Sequence, residues 1–147
     1  MPKSVLFLCT HNSARSQMAE GLARALAREH GSDVEVWSAG TEARAMHPLA
    51  VKAMAEIRID ISRQRSKTLA EAPPNPDYAI TLCSQAAEAC PVFPTSAKSL
   101  HWDLPDPSAA EGSEEDRLAA FRMVRDLIAR RLDEFWRKEM AGAAPDR

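Results

Sequence analysis

The 147 residues are 45% hydrophobic and 27% charged, which fits one globular domain with core enough to fold unaided and excludes a disordered or collagen-like chain. Nineteen Lys and Arg against 21 Asp and Glu leave a formal net charge of −2, so no broad attraction to nucleic acid is implied. The apolar run at residues 5–8 is too short for a signal-peptide core, and no later run could cross a bilayer; a cytoplasmic chain is expected, with no nucleic-acid or membrane partner. Three cysteines in a reducing compartment read as buried thiols, metal ligands or reactive thiols, not as a disulfide framework.

Val5-Leu6-Phe7-Leu8 is continuously apolar, as a strand buried on both faces requires. The segment Cys9-Thr10-His11-Asn12-Ser13-Ala14-Arg15-Ser16 follows it directly. Met18, Leu22, Ala25 and Leu26 then lie on one helical stripe, ended by Gly31. Residues 34–37 predict a second strand, closed by Ser38-Ala39-Gly40. Pro48 suits the first turn of a helix over 48–57. A polar stretch over 62–68 and the prolines at 73, 74 and 76 lead to a third strand at 78–82, ending at Cys83. Ser84 is placed to cap a helix towards Cys90, which Pro91 and Pro94 stop. A short fourth strand is predicted at 99–102, and then a loop over 103–112. Ser113 followed by three acidic residues opens a last helix. Leu118, Phe121, Val124, Leu127, Ile128, Leu132 and Phe135 carry it to about residue 138. One domain over 1–140 is expected, with a frayed tail at 141–147.

Strands alternating with helices predict an α/β, three-layer sandwich: a four-stranded parallel sheet with helices on both faces. Ligands of such sheets bind beyond the carboxyl ends of the strands, where Cys9, Cys83 and residues 101–106 should gather. Cys9 and Arg15 form C-x5-R between a strand and a helix. The loop can turn its N–H groups inward, and with the helix N-terminus they make an anion site from Thr10, His11, Asn12, Ser13, Ala14, Arg15 and Ser16. The Arg15 guanidinium matches two oxygens of a tetrahedral oxyanion. Cys9 beneath it is expected to be available as a thiolate, with Ser16 as hydrogen-bond partner. Asp106, stiffened by Pro107, is the expected general acid; Asp103 is the rival and reads as a solvated turn residue. The bland alternative for the loop is a buried Cys and a solvent-facing Arg.

Cys83 and Cys90 are seven residues apart, so in an intact helix they share a face at about 10 Å along the axis. A disulfide needs Cα atoms within about 7 Å, so the two bond only if residues 84–89, small and polar, unwind; that makes the segment a candidate redox switch. A core thiol at Cys83 with a surface thiol at Cys90, or a zinc site completed by His101, are the alternatives.

The set Cys9-Thr-His-Asn-Ser-Ala-Arg15-Ser16, Trp37-Ser-Ala-Gly-Thr41, Thr81-Leu-Cys83-Ser84, Cys90-Pro91 and His101-Trp102 with Asp106-Pro107 resembles the thioredoxin-coupled arsenate reductases, which share the low-molecular-weight tyrosine phosphatase fold. The resemblance runs from about residue 3 to 138. It implies that Cys9 attacks arsenate with Asp106 as acid, that Cys83 and then Cys90 carry the oxidation away as successive disulfides, and that thioredoxin reduces the last one. Arsenate is the implied substrate, with phosphate or sulfate competing, and a monomer without cofactor is expected. Several members have Gly where His11 stands, so the backbone there is expected to differ. Some members hold potassium behind the loop through Asn, Glu, Ser and Asp. Asn12, Glu20 and Ser38 match the first three and Lys67 stands at the fourth, so its ammonium is expected to replace the metal. The rival reading is a low-molecular-weight protein tyrosine phosphatase, against which stands the lack of aromatic residues after Pro107.

Overall fold

A computed structural model describes residues 3–84 and 98–140. The predicted helix towards Cys90, the stop at Pro91 and Pro94, and the tail at 141–147 lie outside the described residues. Four parallel strands, β1 (Ser4–Cys9), β2 (Glu35–Gly40), β3 (Tyr78–Thr81) and β4 (Lys98–His101), form one sheet in the order β2-β1-β3-β4. The helices are α1 (Arg15–Glu29), α2 (Pro48–Ala55) and α3 (Glu114–Phe135).

β1 is central because both its faces are buried. Val5 and Phe7 join the core formed with α1, α2 and α3. Leu6 and Leu8 face the other way with Ala39 and Ala79, packed by Trp37, Leu69 and Ala72. Burying each of these large β1 side chains stabilises the fold by about 1.5–3 kcal/mol. The strand order reverses at β1, with β2 on one side of it and β3 on the other. The carboxyl ends of β1 and β3 therefore flank the crevice where ligands of such sheets bind.

Several boundaries differ from expectation: β3 stops at Thr81, not 82, and α3 at Phe135, not about 138, and three others have a local cause. β2 runs through Gly40, since Ser38, Ala39 and Gly40 pair with Phe7, Leu8 and Cys9. α2 ends at Ala55 because Arg58 turns left-handed (φ 65°) and the Ile59 N–H bonds back to the Met54 carbonyl. β4 stops at His101, although the Trp102 N–H still reaches the Thr81 carbonyl at 2.8 Å. The expected caps are present: Pro48 in the first turn of α2, Gly31 at φ 62° after α1, and a capping box between Ser113 and Asp116.

Candidate active site

β1 delivers Cys9 to the crevice with 2% exposure, as a free thiol. The chain then turns through Asn12 at φ 49° into α1. Asn tolerates this left-handed conformation better than most residues. The left-handed position is Asn12, and His11 has no positive φ. Gly40 lies beneath the turn. A Cβ there would come within 2.7 Å of the Thr10 carbonyl oxygen, 2.8 Å of Asn12 N and 2.9 Å of the Cys9 carbonyl oxygen. Only glycine lets the end of β2 pass under the loop.

Ala14, the N-cap of α1, offers no side-chain acceptor to the first turn. The orphan N–H groups of that turn and the helix dipole are left to the hollow of the loop, which suits an anion. Ser16 Oγ is 2.8 Å from Cys9 Sγ and 2.7 Å from Asn12 Nδ2. Arg15 is 3% exposed, and its Nη1 donates to the carbonyls of Leu104 (3.1 Å) and Leu82 (3.4 Å). These carbonyls come from the segments that follow β4 and β3, so one guanidinium ties three strand ends together. Its Nη2 stands 4.0 Å from Asp106 Oδ2. Asp106 is held in turn by the Ser108 N–H (3.0 Å) and hydroxyl (2.7 Å). Asp103 is 63% exposed and 3.7 Å from His101 Nε2.

Cys83 follows β3, whose Leu82 N–H donates to the Leu8 carbonyl at 2.8 Å. It therefore sits at the end of the strand next to the one that carries Cys9. It is fully buried and disulfide-bonded. Cys90 lies outside the described residues, and so does the zinc alternative that needs it; among the described residues no cluster of His, Cys, Asp and Glu forms a metal site.

The expected support residues converge behind the loop. Asn12 Oδ1 accepts from the Lys67 N–H (2.7 Å) and from Gln17 Nε2 (2.9 Å). Glu20, 2% exposed, accepts from the Ser38 hydroxyl, pairs with Arg24 at 2.7 Å and lies 3.5 Å from the Lys67 ammonium. Sequence reasoning passed over Gln17, which has no motif to mark it, and His47. The His47 N–H donates to the Ser13 carbonyl (2.9 Å), and its Nδ1 accepts from the Leu49 N–H (3.1 Å). Burial lowers its pKa, the charge of Arg117 lowers it further, and Asp106 opposes both.

Residues 4–143 match the model of the low molecular weight phosphotyrosine protein phosphatases, and the chain belongs to that family. An arsenate reductase from Halalkalibacterium halodurans is 47% identical over 134 residues, covering 90% of this chain and 94% of that protein. A solved arsenate reductase in the phosphate binding state is 33% identical with a TM-score of 0.76, covering 92% of this chain and 98% of that one. A thioredoxin-dependent arsenate reductase from Corynebacterium glutamicum is 29% identical with a TM-score of 0.67, covering 96% of this chain and 63% of that one.

Proposed function

We propose that this chain reduces arsenate to arsenite through a relay of Cys9, Cys83 and Cys90 that thioredoxin regenerates. The observation that carries the reading is the placement of a buried free thiol, Cys9, under Arg15 and the N-terminus of α1, with Asp106 4.0 Å from Arg15 and a second buried cysteine at the end of the adjacent strand. The C-x5-R loop alone serves phosphate esters as well as arsenate; the cysteine at the β3 end is what a hydrolase does not need. The relatives' names point the same way.

In this reading the Cys9 thiolate attacks arsenic, and a hydroxide leaves as water with the proton of Asp106. Arg15 and the loop N–H groups hold the remaining oxygens and stabilise the charge that builds on them. The Cys83 thiolate then attacks Cys9 sulfur. The S–As bond breaks with its electron pair staying on arsenic, which leaves as arsenite, and a Cys9–Cys83 disulfide remains. Cys90 attacks Cys83, frees Cys9 and leaves a Cys83–Cys90 disulfide, which the dithiol of thioredoxin reduces.

The test follows arsenate-dependent NADPH consumption with thioredoxin and its reductase, beside hydrolysis of a phosphate monoester. Reduction with little hydrolysis is expected. Cys83→Ser should stop repeated turnover and spare any ester hydrolysis; Cys9→Ser should abolish both. Full reductase turnover in Cys83→Ser, or ester hydrolysis without arsenate reduction, overturns the reading.

A further inference from the structure

Away from the crevice, a groove of about 830 Å³ runs between the outer half of α1 and the free edge of β2. Arg24, Arg28, Arg63, Arg65 and Lys67 line it against two carboxylates, Glu20 and Glu35. Glu20 is already engaged by Arg24 and Lys67, and Arg65 is paired with Glu71 at 2.7 Å. Arg28 and Arg63 are exposed and form no ion pair among the described residues; Asp60 acts on Arg63 only from beyond ion-pair distance. In a chain of net charge −2 the groove thus presents two guanidinium groups without an ion pair, beside three cations already paired. Their planar forks suit phosphate oxygens. A single exposed pair of charges is worth at most about 1 kcal/mol, so a ligand must engage several of them at once, and it therefore needs more than one anionic group. Trp37, half-buried on the groove wall, offers a flat apolar surface beside them.

The groove also touches the braces of the catalytic loop. Gln64, on its wall, donates to Gln17 Oε1 at 2.8 Å. The Arg65 carbonyl accepts from Gln17 Nε2 (3.0 Å) and from Lys67 Nζ (2.8 Å). Gln17 and the Lys67 N–H are the groups that hold Asn12 Oδ1. We propose that this groove binds a small anion bearing two or more phosphate groups, and that its occupancy alters the reactivity of Cys9 through Gln17, Lys67 and Asn12. Binding at one site and reactivity at the other are then coupled, and the coupling acts in both directions for equilibrium binding.

Calorimetric titration of the full chain with sodium tripolyphosphate, with the catalytic loop saturated by inorganic phosphate, tests the site. A parallel titration with ATP separates a free polyphosphate from a nucleotide: tighter binding of ATP assigns the Trp37 wall to a base, and equal or weaker binding assigns the site to the phosphate chain alone. The double variant Arg28→Ala, Arg63→Ala removes side chains without ion pairs and should keep the thermal midpoint. It is expected to weaken tripolyphosphate at least 10-fold. In the absence of inorganic phosphate, tripolyphosphate should change the rate of Cys9 alkylation by iodoacetamide at least threefold in the wild type and not in the double variant. No binding, equal binding by both proteins, or an alkylation effect that is absent or survives in the double variant overturns the proposal.

Discussion

The backbone N–H of Lys67 lies 2.7 Å from Asn12 Oδ1, and that contact orients the amide that faces Ser16, the neighbour of Cys9. A backbone N–H can only donate, so the Asn12 oxygen faces Lys67 and the Asn12 NH2 group faces Ser16. Ser16 Oγ accepts that donor at 2.7 Å and keeps its own hydrogen available to a Cys9 thiolate, with Sγ 2.8 Å away. Ser16→Ala removes one hydrogen bond to a charged group, worth about 1.5–3 kcal/mol. The single-turnover arsenate step and the alkylation of Cys9 at neutral pH should both slow about 10- to 100-fold. Rates within a factor of two of wild type would show that the hydroxyl does not serve the sulfur.

Asp106 is positioned by its own turn, not by Arg15. Its Oδ1 accepts both Ser108 donors, while Oδ2 stands 4.0 Å from Arg15 Nη2. Oδ1 is thus the anchored oxygen and Oδ2 the one turned towards the guanidinium. On the proposed mechanism Asp106→Asn retains the turn and removes the acid, so kcat should fall about 10²- to 10⁴-fold while phosphate binding to the loop stays within a few-fold. Asp103→Asn should leave kcat nearly unchanged. A reversed pattern in steady-state assays would move the acid to Asp103.

Much of this site was legible because its pieces follow buried strands. The run over 5–8 marks β1, so Cys9-x5-Arg15 had to be a strand-to-helix loop. Asp106 stood out from Asp103 because Pro107 follows it. Gln17 and His47 were not legible. Gln17 reads as an ordinary polar residue of an amphipathic helix; its role depends on the Arg65 and Gln64 backbone and side chain arriving from 47 or 48 residues away. His47 precedes Pro48 and reads as a connector, and its link to Ser13 is a tertiary contact with no local signature. The extent of β2 was misjudged because Ser38-Ala39-Gly40 looks like a turn, whereas pairing with β1 overrides that local preference.

Gly40 carries a sharp prediction because three backbone atoms surround the place of its missing Cβ. None of them is the end of a flexible side chain, so the loop itself must shift. Gly40→Ala should lower stability by several kcal/mol, on the order of other overpacking changes at their upper end. It should also weaken phosphate binding to the loop at least 10-fold. Calorimetry of phosphate binding, beside a thermal melt, checks both; an unaltered phosphate affinity would show that the loop has room the geometry denies.

His47 predicts a slope of stability with pH. Its Nδ1 must be unprotonated to accept the Leu49 N–H, and burial with the nearby Arg117 lowers its pKa below the ordinary value of 6.5. The unfolded chain then takes up the proton first. The contribution of the neutral ring is fully present above about pH 6.5 and is lost as the pH falls through the lower folded-state pKa. His47→Asn keeps an N-cap acceptor and removes the titration. Between pH 7.5 and 5 the wild-type melting temperature should fall more steeply than that of the variant; parallel slopes would contradict the assignment.

Lys67 tests whether a side chain has taken a metal's place behind the loop. Its ammonium, on a side chain only 9% exposed, lies 3.5 Å from Glu20 Oε1, with the Arg65 carbonyl as its hydrogen-bond acceptor at 2.8 Å. Glu20 is buried, so its charge needs compensation from within the protein. Arg24 supplies part of it, but its own side chain is 49% exposed and is screened by water accordingly. Removing the ammonium in Lys67→Met should therefore cost about 1–3 kcal/mol, less than the full loss of a buried pair because Arg24 and Ser38 remain. The wild-type melting temperature and turnover should be the same in sodium and potassium chloride at equal ionic strength. Lys67→Asp places a second carboxylate beside Glu20; that variant should be unstable in sodium and recover in potassium. A potassium requirement in the wild type, or a Lys67→Asp variant blind to the choice of cation, would show that the ammonium does not occupy a cation's position.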